Sequence, residues 1–175
     1  MIDFIKNKVI NITQEDVLER LLDRKRWPKN YPDGQPSVEA IKEDGTKHQD
    51  FFDQNGYLDS LGCIECFEDG YTLVLSNAGS LFKDLWFVQQ YLNERFNKFI
   101  NCNLYFGSGK KSVSFPKHNH DYSVIVKNIY GESKWIIDEK EVILKNQECI
   151  WFDKFVDHQV IEINDAKLSL TCNIK

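Results

Sequence analysis

FPKHNHDYSVIVKNIYGESKWIID, residues 115–138, places two of the chain's four histidines within three residues and then runs into alternating apolar sequence. Side chains two apart on a strand point the same way, so His118, His120, Tyr122, Val124 and Val126 share one face. With Val124 and Val126 turned to a core, both imidazoles point into the same interior near its mouth. An HxH pair alone is commonly a surface pair. What changes its weight is His158, which opens HQVIEI some forty residues later and is the only other histidine in this part of the chain. A small barrel interior is otherwise filled with apolar side chains and has little reason to hold imidazoles. His118, His120 and His158 are therefore the candidate metal ligands, a neutral trio suited to iron(II), zinc, nickel or copper(II) rather than magnesium or calcium.

Around this stretch the texture is that of short strands. CNLYF, SVSF, YSVIVKNI, SKWIID, EVIL, ECIWF, HQVIEI and KLSLTCNI are separated by GSGK, YGE, DEK, KNQ and IND, with no helix between them. Such a series predicts an antiparallel sandwich or barrel. Upstream, YTLVLS (71–76) reads as a strand. The helix that follows has Leu81, Phe82, Leu85, Trp86, Val88, Leu92 and Phe96 at helical spacing behind Asn77 or Ser80 as N-cap. TQEDVLERLLDRK (13–25) predicts a short outer helix capped by Thr13. Residues 27–55, broken by Pro and Gly, read as an irregular arm, with His48 on its surface. Cys63-Ile64-Glu65-Cys66 has neither a second pair nor a flanking histidine and reads as two ordinary thiols in a loop or strand edge.

Composition narrows the functional classes. The 175 residues, 42% hydrophobic and 28% charged, suffice for one core of ordinary size, so a single domain over 1–175 is expected, with 1–70 as helix and arm and 71–175 as barrel core. A net charge of −5 argues against nucleic-acid binding, and Lys110-Lys111 is too short a patch to reverse this. No apolar run approaches the roughly 20 residues of a membrane span. Charged residues in MIDFIKNKVI stand where a signal peptide would be apolar, and five cysteines read as free thiols, so the expected location is the cytoplasm.

The ordered series from Tyr71 to Ile174 resembles the cupin-like JmjC oxygenases, in particular the ribosomal-oxygenase branch often labelled cupin-4. GYTLVLSNAGSLFKDLWFVQQYLNERF resembles that family's strand and helix before the barrel, INCNLYF its Asn-x-Tyr strand, and HNHDYSVIVKNIYGESKW its metal-binding strand. QECIWFDKFVDHQV resembles the approach to the distal metal histidine, and LSLTCNI the closing strand. The resemblance implies a double-stranded β-helix, or jelly roll, preceded by helices. It further implies iron(II) held by two His and one Asp, and 2-oxoglutarate as cosubstrate for hydroxylating a protein or small molecule. His118 and His158 match the metal histidines, and Asn103 and Tyr105 match residues that line the cosubstrate pocket.

Two departures stand out. His120 takes the place of the metal carboxylate, with Asp121 beside it directed to the other face. Ser133 takes the place of the lysine that holds the far carboxylate of 2-oxoglutarate, with Lys134 one position on, so use of that cosubstrate is put in question. The expected function is a metal-dependent cupin, in the first instance an iron(II) oxygenase acting on a small molecule or peptide. Tyr105, Asn103, Tyr122, Asn128 and Lys134 are the candidate substrate or cosubstrate contacts. The alternatives are a non-oxygenase metal cupin using zinc or nickel as Lewis acid (an isomerase, lyase or sensor) and a catalytically degenerate interaction module. A homodimer through the arm and the Trp- and Phe-rich helix is compatible with each.

Overall fold

A computed structural model describes residues 2–23, 26–32, 34–109 and 112–175. Lys110-Lys111 and the end of the predicted 13–25 helix lie outside the described residues. The chain begins with α1 (Ile2–Asn7), which was not foreseen, and α2 (Gln14–Leu22). Thr13 caps α2 as predicted, accepting from the Asp16 N–H, and the Asp16 carboxylate in turn accepts from the Thr13 backbone N–H, a reciprocal capping box. Val17 and Leu21 are buried while Leu22 is exposed, as an outer helix requires.

The reading of 27–55 as an irregular arm is corrected at its centre. Val38–Ile41 forms β1, every residue of it buried, and pairs with β2 (Lys47–His48) on one side and with β3 (Thr72–Leu75) on the other. The run is four residues long and carries a glutamate, too little for periodicity to register. Glu39 is satisfied by Lys47 and Gln49. A second omission is α3 (Ser60–Glu68), capped by Asp59, which contains both cysteines of the CxxC. They are thus helical, not in a loop or strand edge. Burial pushes the Cys63 thiol up to about 12 and raises that of Cys66, so neither is a ready thiolate.

The long predicted helix is α4 (Lys83–Phe96), but its start lies later than expected. Asn77 takes a left-handed conformation ahead of a separate 3-10 turn at Ala78–Ser80, and Phe82, with no side-chain cap bond, precedes α4. Leu85, Val88 and Leu92 are buried and Tyr91 stacks on Phe4, whereas Trp86 and Phe87 remain 47% and 42% exposed.

Seven strands follow: β4 (Asn101–Gly107), β5 (Ser123–Tyr130), β6 (Ser133–Ile137), β7 (Lys140–Leu144), β8 (Cys149–Phe152), β9 (His158–Ile163) and β10 (Lys167–Ile174). SVSF at 112–115 is not a strand; Phe115 has φ +64, outside strand geometry. All pairings between named strands are antiparallel, in a seven-stranded sheet ordered β2-β1-β3-β4-β10-β5-β8 and a three-stranded sheet ordered β7-β6-β9. This is the expected mainly β, cupin-type jelly roll.

The larger sheet is covered on both sides. On β4, Cys102, Leu104 and Phe106 join the helices in one apolar cluster, as do Leu168, Leu170, Cys172 and Ile174 of β10. The alternate residues of these strands face the interior between the sheets, where Val124, Val126, Trp135, Phe152 and Val160 form a second cluster. That interior face is polar on β10, as Lys167, Ser169, Thr171 and Asn173 all line the cavity. Polar alternation here points into the barrel rather than to solvent.

Candidate metal centre

His118, His120 and His158 come together at the mouth of this interior. One ligand atom from each can be chosen so that all lie within 4.8 Å of one another. The ring centroids are 4.4 Å apart for His118 and His158, 4.9 Å for His118 and His120, and 5.2 Å for His120 and His158. The local route differs from a simple strand. β5 begins only at Ser123, and His118 is held instead by an isolated bridge, its N–H donating to the His158 carbonyl at 3.1 Å and its carbonyl accepting from the His158 N–H at 2.9 Å. The His120 carbonyl accepts from the Phe155 N–H at 2.7 Å. The backbone around Asn119 is clasped by Asp157, which accepts from Asn119 at 2.7 Å and pairs with Lys117 at 3.2 Å. Those bonds hold the Asp157 carboxyl below its usual range.

The hydrogen bonds also choose tautomers. His118 Nδ1 lies 2.8 Å from the Pro116 carbonyl and His158 Nδ1 lies 2.9 Å from that of Val156. A carbonyl can only accept, so each Nδ1 carries the proton and each Nε2 keeps a lone pair for a metal. His120 is oriented by stacking on Tyr122, with ring centroids 4.7 Å apart and planes 9° apart. Burial depresses His158 to about 4, helped by His118 and His120 and opposed by the bond to Val156. Burial and His118 lower His120. Both are neutral, the ligating form, at ordinary pH. The residues present therefore fit a divalent ion of the imidazole-preferring kind. Asp121 is exposed and outside the cluster.

Behind the histidines lies a cavity of about 140 Å³, on the scale that accommodates a ligand the size of a benzene ring. Tyr105 and Tyr122 are among its lining residues. Three other candidates fall elsewhere. Asn103 shares the interior face of β4 with Tyr105 but is not among the lining residues. Asn128 closes the far end of the barrel, donating to the Leu144 carbonyl at 2.7 Å and to Ser133 Oγ at 3.1 Å. Lys134 points outward and pairs with Glu141 at 2.8 Å, despite a register shift against β9 between residues 134 and 135.

Among the lining residues that the sequence reading missed are Trp135 and Lys167. Trp135, whose Nε1–H donates to Ser133 Oγ at 2.9 Å, sits 6.4 Å from the His158 ring. Lys167, only 5% exposed, lays its Nζ 5.4 Å from the centre of the Trp135 ring. The signal for Lys167 was the strict alternation of KLSLTCNI, which is read as a solvent face unless the sheet is known to be covered on both sides.

Fold and site together define a cupin-type barrel with a three-histidine cluster that could hold a metal ion. No family model matches the sequence, and no curated protein matches it. Among solved structures, YcfD, a ribosomal oxygenase from Escherichia coli, superposes with a TM-score of 0.61 over 97% of this chain at 10% identity. An RmlC-like cupin from Shewanella frigidimarina and a cupin superfamily protein from Desulfitobacterium hafniense match 43% of the chain at 13% identity, with TM-scores of 0.39 and 0.38. The fold likeness rests on the first. The matched region is 45% of the ribosomal oxygenase and 65% and 66% of the two cupins, below two thirds of each. Among the described residues no helix is long and apolar enough to cross a membrane.

Proposed function

We propose that the chain is an iron(II)-dependent oxygenase of the cupin type, acting on a small molecule or peptide. The observation that carries this reading is the convergence of His118, His120 and His158, two of them tautomerically fixed, at the mouth of a partly polar cavity. Held by His118, His120 and His158, iron(II) would supply a redox-active Lewis acid. The protein's own part is to present three imidazole nitrogens, to hold two of them through the His118–His158 backbone pair, and to wall the ligand with Tyr105, Trp135 and Phe152. The fold shared with a ribosomal oxygenase supports the oxygenase part by analogy, since fold alone does not supply function.

Protein purified without added metal, assayed for metal content and then reconstituted anaerobically with iron(II), tests the proposal. The expected result is one ion per chain and O2 uptake with an added 2-oxo acid or a chelating small-molecule substrate. Full occupancy by zinc with no O2 uptake after iron loading would instead favour a Lewis-acid cupin. The carboxylate-free donor set is the observation behind that second reading, since three neutral imidazoles suit zinc as well.

A further inference from the structure

A helix that packs one face on a core ordinarily turns charged and polar side chains to water on the other. α4 does so only in part. Leu85, Val88, Gln89 and Leu92 are buried, and the stripe opposite them runs Lys83, Phe87, Gln90, Glu94, a 4-3-4 spacing that lines up along one side of a helix. On one flank Trp86 sets its ring edge to that of Phe87, with centroids 5.1 Å apart, and both rings stay exposed. On the other flank the exposed Phe4 stacks on Tyr91 and widens the apolar area. The stripe is apolar near its middle and charged at its ends, with opposite signs.

Those signs are inverted with respect to the helix's own dipole. Lys83 is the first residue of α4, at the positive pole, and Glu94 lies in the last turn, at the negative pole. Neither has an ion-pair partner among the described residues; Lys83 has the Phe87 ring, 5.8 Å from its Nζ. Asp84 and Arg95, in the same two turns but off the stripe, carry the signs the dipole favours, and Asp84 is paired with Lys8. The inversion is therefore confined to the outward stripe. An antiparallel copy of the same helix removes it, because each lysine then lies by the partner's negative pole and each glutamate by its positive one.

We propose that the outward stripe of α4 is a homodimer interface, in which two copies pack antiparallel about a two-fold axis midway between Phe87 and Gln90, with Lys83 of each copy facing Glu94 of the other. Symmetry fixes the rest of the register: Phe87 meets the partner's Gln90, and Trp86 the partner's Tyr91. A parallel pair would instead set lysine on lysine and glutamate on glutamate, and a shifted antiparallel pair would leave both charges unmatched. The 14-residue helix is about 21 Å long, so the contact is small and the dimer is weak and concentration-dependent. Nothing in this contact depends on the metal site.

Sedimentation velocity of the full chain at low salt, over roughly 1–100 μM, reads the association in the range of weak interfaces. The expected result is a reversible dimer in the wild type, weakened at least about 10-fold in Lys83→Glu and in Glu94→Lys, since each reversal sets like charges opposite one another twice per dimer. Phe87→Ser should weaken it likewise. All three residues are exposed, so circular dichroism should stay that of the parent. The deciding sample is an equal mixture of Lys83→Glu and Glu94→Lys, whose heterodimer has both charge contacts attractive again. It should associate at least about 10-fold more tightly than either variant alone. A wild type that stays monomeric throughout overturns the proposal and leaves the stripe to a partner of another kind. A dimer that none of the three substitutions weakens overturns it as well, and variants that do not recover on mixing overturn the antiparallel register.

Discussion

His118 and His158 exchange both backbone hydrogen bonds, at 3.1 and 2.9 Å, so the two imidazoles belong to one rigid pair although forty residues separate them. Each also gives its Nδ1 proton to the carbonyl two residues earlier, Pro116 and Val156 respectively. The metal end of the cavity is therefore set by main chain, with little left to side-chain rotation.

Replacing any one of His118, His120 or His158 by Ala should weaken metal binding by more than the roughly 10–100-fold that loss of an outer partner costs. Competition with a chromophoric chelator checks this. For His118 and His120, which are only partly buried, circular dichroism should remain that of the parent.

Asp157→Ala should lower metal affinity several-fold, by freeing Asn119 and Lys117, with little change in melting temperature for an exposed pair. The Asp157 carboxyl is held below its unfolded value, so the clasp is present above that value and is lost as pH falls through the lowered one. Its contribution should therefore be flat through neutrality and disappear only in acid, as followed by metal affinity against pH.

Lys167→Met should stabilise the metal-free protein by about 2 kcal/mol near neutral pH, since burial lowers the folded lysine to about 8 and penalises its charged form. The sign follows from proton counts. Between about 8 and the ordinary lysine value of 10.5 the unfolded chain holds more protons than the folded one. Wild-type stability rises with pH across that window and the advantage of the variant shrinks. Urea unfolding at pH 7 and pH 10 measures both.

Ser133→Ala should cost roughly 1–3 kcal/mol, because the buried donors of Trp135 and Asn128 both bond to that hydroxyl. It should also loosen the indole under Lys167, visible as a shift in tryptophan emission.

Gly131→Ala should destabilise by about 1–3 kcal/mol or more in the same unfolding assay. Gly131 has φ +79, and an added Cβ would lie 2.5 Å from the Ala166 carbonyl oxygen and 2.9 Å from the Lys167 Cα, both backbone atoms with no room to yield.

The barrel was legible because its strands are short, β-rich and punctuated by turns, and the histidine trio because His118 and His120 precede such a strand on one parity. β1 and α3 were not legible. The first is four residues long, and the second buries only Cys63 and Phe67, leaving no broad apolar stripe. Lys134 could stand in for the missing cation only if a bulge turned it inward; it keeps the outward parity of its strand and pairs with Glu141. Lys167 was hidden because alternation states which residues share a face but not which face meets water.

β4 and β10 divide labour by parity. Leu168, Leu170, Cys172 and Ile174 anchor the helices, while Lys167, Ser169, Thr171 and Asn173 meet whatever enters the cavity. Ligand preference can thus be rewritten on odd-numbered positions of the closing strand while the even-numbered ones keep the scaffold intact. For directed evolution, this strand offers four separable dials set on one fixed support.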